Sequence, residues 1–215
     1  SFANEIANLC ELVGADPRRV LPAIGADHRV GEAFLGPGVG WGGSCLPKDV
    51  AALIGMGQEY GYGAPLLRGA RHVNLGQRRA VLRKLQRGLK VLKGRRVAVL
   101  GLAFKAHTDD LRESPALELI EQLHDAGALV TAYDPAVKIA PAELDGIRMV
   151  PNAYDAADRA DALVVVTDWP EFAELDLRQV AGRMDGDLLV DGRNLIDPDR
   201  AARAGLRLVG VGTGG

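Results

Sequence analysis

Two hydrophobic periods divide the chain. Up to about residue 93 the apolar positions recur every three or four residues, whereas beyond it short β-rich runs alternate with helical patterns. Phe2, Ile6, Leu9, Cys10 and Val13 fall at helical spacing, with Gly14 as the stop. Asp16-Pro17 caps a second short helix carrying Val20, Leu21 and Ile24 and ended by Gly25. Pro47 followed by Val50, Ala51, Leu53 and Ile54 predicts a third. After the break at Gly61-Tyr62-Gly63-Ala64-Pro65 a long helix runs to about Leu92. Its buried stripe reads Leu66, Ala70, Val73, Gln77, Ala80, Val81, Leu85 and Leu89, with Arg78, Arg79, Arg83, Lys84 and Arg87 on a solvated face. A helix of this length is a natural spine between two domains. Lys93-Gly94-Arg95 marks the boundary, giving a helical segment over 1–93 and a second domain over 94–215.

From Arg96 the pattern is α/β. Val97 to Leu102, Leu129 to Tyr133, Ala162 to Thr167, Leu188 to Asp191 and Leu206 to Val211 read as strands, with helices over about Ser114 to Ala126, Ala153 to Ala160 and Leu177 to Met184. This alternation predicts a Rossmann-like, doubly wound parallel sheet that meets ligands at its strand ends. The dinucleotide fingerprint is missing. The turn after the first strand is Gly101-Leu102-Ala103-Phe104-Lys105, without G-x-G-x-x-G, so a pyrophosphate has no ordinary seat there. Lys105 and Arg112 emerge from this loop, Asp134 ends the second strand, and Arg193 follows Asp191-Gly192 at a later one. Their shared place at strand ends suggests phosphate or ribose contact.

Composition narrows the class. Twenty-six Lys+Arg against 28 Asp+Glu, scattered along 215 residues, leave a net charge of −2, which is no nucleic-acid footprint. No apolar run is long enough to span a membrane and no secretory leader is read, so the expectation is a soluble, cytoplasmic protein. Two cysteines are too few for a disulfide framework. Cys10, on the apolar face with Phe2, Ile6 and Val13, reads as structural. No metal site is read. The chain opens without a start methionine and already in a helix, as a chain entered partway would.

The chemistry concentrates between Gly36 and Asp49. Five glycines in eight residues (36, 38, 40, 42 and 43) strip a loop of side chains and let its backbone approach a neighbour closely. Cys45 then sits just ahead of a helix start, where the dipole and Lys48 favour thiolate over thiol. Asp49, four residues on, lies within one turn of the sulfur, a base beside a nucleophile. A lone cysteine is more often a small buried hydrophobe. Here the glycines, the helix start, the lysine and the aspartate coincide, which favours the functional reading.

Phe34-Leu35-Gly36-Pro37-Gly38, running into Gly42-Gly43-Ser44-Cys45-Leu46-Pro47-Lys48-Asp49, resembles the catalytic-cysteine segment of the UDP-glucose/GDP-mannose dehydrogenase family. Gly25 to Gly31, Gly101 to Lys105, Thr108 to Pro115, Tyr133-Asp134-Pro135 and Asp191-Gly192-Arg193 resemble further signatures of that family in its order. The resemblance implies a four-electron, NAD-dependent oxidation of a nucleotide sugar to its uronate, with Cys45 as nucleophile and Asp49 assisting water and proton transfers. It implies NAD contacts for Lys48 and Arg112. It also implies substrate contacts for Phe34, Leu35, Gly38, Trp41, Gly42, Phe104, Lys105 and Arg193, and an Arg29 offered across a homodimer built on the central helices.

Three readings follow. The first is the central and sugar-nucleotide part of a dehydrogenase acting on UDP-glucose, with GDP-mannose and UDP-N-acetylmannosamine as alternative substrates. The family's N-terminal NAD-binding domain is expected to lie outside these residues, so that they alone do not turn over substrate. The second is a nucleotide-sugar-binding or dimerisation module without chemistry. The third, an NAD(P)-binding regulatory domain, is weakened by the absent fingerprint.

Overall fold

The computed structural model describes residues 1–139 and 146–213. Four helices come first: α1 (Phe2–Val13), α2 (Pro17–Gly25), α3 (Leu46–Glu59) and α4 (Pro65–Leu89). Their ends follow the local chemistry. Gly14 closes α1 in the left-handed conformation, Asp16 caps α2 by accepting from the Arg18 amide, and α4 begins on Pro65.

Beyond them the chain alternates: β1 (Arg96–Leu100), α5 (Pro115–Asp125), β2 (Leu129–Tyr133), β3 (Arg148–Met149), α6 (Ala153–Ala157), β4 (Ala162–Val165), α7 (Pro170–Ala173), α8 (Leu177–Arg183), β5 (Leu188–Asp191), α9 (Pro198–Arg203) and β6 (Arg207–Gly210). The strands form one sheet in the order β3-β2-β1-β4-β5-β6, and every pairing is parallel. The expected doubly wound sheet is therefore present, with its order reversing between β1 and β4, where such sheets open a crevice at their carboxyl ends. β3, α7 and α9 were not anticipated, and α4 and α6 end at Leu89 and Ala157, short of the expected Leu92 and Ala160.

Burial on both faces explains the unbroken apolar strands. Val97, Val99, Val164, Leu188 and Val190 point to one face, where Val81 and Leu85 of α4 and Leu119, Ile120 and Leu123 of α5 cover them. Ala98, Leu100, Leu163, Val165 and Leu189 point to the other, under α6, Phe172, Leu177, Val180 and Ala201. The second half of the long helix thus serves as a cover for the sheet. Among the described residues no helix is long and apolar enough to cross a membrane.

The solvated basic face expected for α4 needs correcting. Arg78 and Lys84 are 4% and 7% exposed, whereas Leu66, placed on the buried stripe, is 87% exposed. The buried line runs Asn74, Gln77, Arg78, Val81, Lys84, Leu85, at steps of three and four, and the charges on it are buried because partners meet them. Lys84 pairs with Glu11 of α1, and Arg78 with Glu118 of α5 at 3.1 Å. The apolar faces of α1 and α3 also divide differently. Cys10 is buried as expected, but Phe2 and Val13 are exposed, and Ile54 is the buried residue of α3.

The Lys84–Glu11 pair joins α1 to the spine. Lys84→Met should cost about 1–3 kcal/mol, because it leaves half-buried Glu11 with only the exposed Arg87, 3.8 Å away, as a partner. The double substitution with Glu11→Leu should recover most of that loss, as read by urea denaturation of the two variants beside the parent chain.

Candidate functional site

The glycine-rich loop runs between α4 and the carboxyl edge of the sheet. On its first side Asn4 of α1 accepts from the Gly38 amide at 2.7 Å, and Asn74 of α4 accepts from the Trp41 amide at 2.7 Å. The Trp41 carbonyl accepts in return from the amide of Asn74 (3.0 Å) and the guanidinium of Arg78 (3.2 Å). On its other side the Val39 amide donates to the Gly192 carbonyl after β5 at 3.0 Å, and the Gly43 amide to the Arg112 carbonyl at 3.1 Å. A methyl group at Gly42 would lie 2.0 Å from the Glu113 carbonyl oxygen, and one at Gly43 would meet the Phe104 ring at 2.7 Å. The glycines are there because backbone must touch backbone and ring.

Leaving this slot the chain turns directly into α3, with Cys45 as its N-cap residue and Pro47 in its first turn. The thiol is exposed, whereas Cys10 is buried. No side chain caps the helix, so its free amides and positive dipole end lie beside the sulfur. The Ser44 hydroxyl is 3.6 Å from Sγ. Cys45 opens on a cleft of about 1130 Å³ between α3, α4 and α5, lined also by Trp41, Lys48, Asn74, Arg78 and Arg112.

Two cations flank the thiol, and each holds a carboxylate of its own. Lys48 Nζ is 2.6 Å from Asp49 Oδ1, and Arg112 forks onto Asp110 with bonds of 2.9 and 2.7 Å. Hydrogen bonding to Asp49 raises the Lys48 pKa, and hydrogen bonding to Asp110 raises that of Arg112, the charge of Cys45 adding to both as the least cause. Asp110 is drawn down to about 2 by Arg112.

At the sheet edge Phe104 backs the glycine loop, and Lys105 Nζ stands 5.4 Å from the centre of its ring. Arg193 follows β5, half-buried, its Nε donating to the Val166 carbonyl at 2.6 Å and its tip within 3.3 Å of where a Gly38 side chain would begin. Burial lowers its pKa, against the pull of Asp168.

The structure thus brings Gly38, Trp41, Gly42, Cys45, Lys48 and Arg112 together around one loop, with Asp49 one turn into α3 and Phe104, Lys105 and Arg193 at its sheet side. Phe104, Lys105 and Arg193 stand beside the loop but do not line the cleft, and neither do Arg29, Phe34 and Leu35. Arg29 forks onto its neighbour Asp27, Phe34 is fully exposed at φ 63°, and Leu35 packs beside Gly25. Asp134, read as a ligand contact, is buried, and its carboxylate is spent on five internal donors. Asn74 and Arg78, which hold the loop, were missed as site residues. Their signal was present as polar residues at positions i and i+4 beside the apolar stripe of α4. Among the described residues no cluster of three or more His, Cys, Asp or Glu is arranged to hold a metal.

Two family models match the chain. The central domain of the UDP-glucose/GDP-mannose dehydrogenase family covers residues 1–75, and the UDP binding domain of that family covers residues 98–198. A UDP-glucose 6-dehydrogenase of Rhizobium meliloti is 42% identical over 214 residues, 99% of this chain and 49% of the relative. A UDP-glucose dehydrogenase structure from Pyrobaculum islandicum superposes with a TM-score of 0.87 at 35% identity, over 98% of this chain and 47% of that one. A UDP-D-ManNAc dehydrogenase structure from Pyrococcus horikoshii gives 0.82 at 29% identity, over 98% and 47%. The chain spans about half the length of the curated relatives it matches.

Two outcomes test the site's geometry. Gly42→Ala should destabilise the chain by about 1–3 kcal/mol, read by chemical denaturation, because the obstructing atom is backbone and cannot rotate away. The Asp110 carboxyl should titrate near 2 by carbon-detected NMR. A depressed carboxylate favours the folded state above its unfolded pKa and stops doing so as pH falls through the folded one. The Asp110–Arg112 contribution should therefore fade between about pH 4 and 2, and Arg112→Ala should raise the Asp110 pKa only part of the way back, because the amide of residue 112 still donates to the carboxylate.

Proposed function

The chain belongs to the UDP-glucose/GDP-mannose dehydrogenase family, and from that premise we propose that it is the nucleotide-sugar part of a UDP-glucose 6-dehydrogenase, with the helical segment 1–93 carrying the reactive thiol and the domain 94–215 carrying the nucleotide. The observation that carries this reading is the exposed Cys45 at an uncapped helix start, joined to the sheet's nucleotide edge by the glycine loop. The higher identity to the UDP-glucose dehydrogenase structure, 35%, than to the UDP-D-ManNAc dehydrogenase structure, 29%, favours UDP-glucose as the sugar nucleotide.

The Cys45 thiolate adds to the C6 aldehyde carbon of the sugar, and the oxygen takes up a proton as the thiohemiacetal forms. Loss of the C6 hydride and of the hydroxyl proton gives a thioester, and water then breaks the carbon–sulfur bond to release the uronate and restore the thiol. Asp49, one turn from the sulfur, takes the proton of that water once Lys48 turns from it. The helix dipole, Lys48 and Arg112 set positive charge beside the sulfur. Lys105 and Arg193 balance the diphosphate, and Phe104 and Trp41 supply flat apolar surface beside the loop.

NAD, where bound, supplies the acceptor for the two hydrides that the four-electron oxidation removes. The donors here fit its phosphates at the mouth, where Lys48 and Arg112 are exposed and held by weak surface pairs. They do not fit it at the turn after β1, whose amides are already taken. The exposed apolar residues Phe2, Leu9, Leu12 and Val13 of α1 and Leu46, Leu53 and Met56 of α3 suit a second copy packed on the central helices, with Arg29 offered to it.

Isothermal titration of the chain should show UDP binding and weak or no NAD binding, and iodoacetamide should modify exposed Cys45 far faster than buried Cys10. Ordinary thiol reactivity at Cys45 together with UDP binding would favour the module without chemistry. Failure to bind UDP would overturn the reading.

A further inference from the structure

Every peptide group of the Leu102–Ala103 turn is held by a buried side chain. The amides of Leu102 and Ala103 donate to Asp134 Oδ2 at 2.7 and 3.1 Å. The Leu102 carbonyl accepts from the Ser114 hydroxyl at 2.6 Å, and the Ala103 carbonyl from the Thr167 hydroxyl at 2.7 Å. Asp134 and Thr167 are fully buried and Ser114 is 4% exposed. The three side chains come from the end of β2, the cap of α5 and the loop after β4. They converge on the turn at the reversal of strand order, where a dinucleotide fold would offer free amides to a phosphate. The other oxygen of Asp134 accepts from the amides of Ala136 and Val137 at 2.8 and 3.1 Å, and Oδ2 also accepts from Trp169 Nε1 at 3.2 Å. Trp169 in turn meets the ring of His107, in the same loop as Phe104 and Lys105, with centres 5.4 Å apart. No cation pairs with Asp134 among the described residues. Five N–H donors carry its charge.

We infer that Asp134 is an internal anion filling the phosphate seat of the β1 turn, and that by filling it Asp134 acts as the positioning residue for Phe104 and Lys105, the part of the sheet edge that receives the nucleotide. The turn is thereby unavailable to a dinucleotide and rigid for a sugar nucleotide. The two residues after Ala103 leave it in a direction set by four buried hydrogen bonds. This inference rests on the sugar-nucleotide reading above. Asp134 touches neither substrate nor reacting atoms; it acts through the turn. Asn in its place keeps the shape but must aim an N–H₂ at N–H donors on one of its two sides, so one pair of amides loses its acceptor.

The test is titration of UDP and of NAD into the parent chain and into Asp134→Asn, with the melting temperature of each and the rate at which iodoacetamide modifies Cys45. The parent should bind UDP. In Asp134→Asn, measured well below its melt, the affinity for UDP should fall about tenfold or more, while Cys45 alkylates at the parent rate because the helix start is held by other bonds. A purely structural role would lower the melting temperature and leave UDP affinity in the folded protein unchanged, and that result would overturn the inference. Should Asp134→Asn fail to fold, Thr167→Val decides. It removes one anchor of the same turn at nearly constant volume, and should weaken UDP binding several-fold by the loss of one buried hydrogen bond; unchanged affinity there overturns the inference equally. Absence of UDP binding in the parent chain would instead bring down the sugar-nucleotide reading, and this inference with it.

Discussion

At Gly38, Gly40, Gly42 and Gly43 the chain passes through a slot with no room for a side chain. One wall is Asn74 and Arg78 of the long helix; the other is the Glu113 carbonyl, the Phe104 ring and the Gly192 carbonyl at the sheet edge. Almost everything that positions the site follows from this fit. The loop's own hydrogen bonds run to both walls, so the helical segment and the sheet are tied through it, and the helix that starts at its end inherits that placement. A side chain at any of these four glycines would push the walls apart and carry Cys45 away from the strand ends. Buried Arg78 belongs to the same constraint. Its charge is tolerable because the Trp41 carbonyl of the loop and Glu118 of α5 meet it, so Arg78 links the loop to a second helix.

The sheet edge is rigid for a complementary reason. Two carboxylates at strand ends, Asp134 after β2 and Asp191 at the end of β5, are buried and filled by backbone amides. Burial pushes the Asp191 carboxyl up while the amides around it pull it down. Such groups are expensive to place and specific once placed, since every donor around them is directional. They hold the loops that carry Phe104, Lys105 and Arg193 without presenting the carboxylates themselves to a ligand.

Much of this was legible in the chain. The five long strands are continuous apolar runs, as strands covered on both faces must be, and Cys45 at a helix start follows from Pro47 and the apolar residues after it. The two-residue β3 and the short α7 and α9 carry too few residues for a period to register. The misreadings concern charge. Arg78 and Lys84 sit at the right spacing for the buried stripe, but burying a cation depends on a partner elsewhere in sequence, Glu118 in one case and Glu11 in the other, and spacing within one helix holds no record of it. Asp134 was misread for the same reason. An aspartate at a strand end looks the same whether its oxygens will meet a ribose hydroxyl or the chain's own amides. Three-dimensional closure of the β1 turn decides which.

The two kinds of charge in the molecule divide the labour. Charges that shape the site are buried and satisfied by fixed partners, so removing one partner would cost several kcal/mol. Charges at the mouth, Lys48 with Asp49 and Arg112 with Asp110, are exposed pairs between neighbours in sequence, worth little in water. On the proposed reading this difference has a mechanical use. An arriving phosphate can draw Lys48 and Arg112 from their carboxylates at small cost, and in doing so it leaves Asp49 unpaired one turn from the sulfur. The buried network meanwhile has no cheap rearrangement, and keeps the loop and the strand ends where the nucleotide meets them.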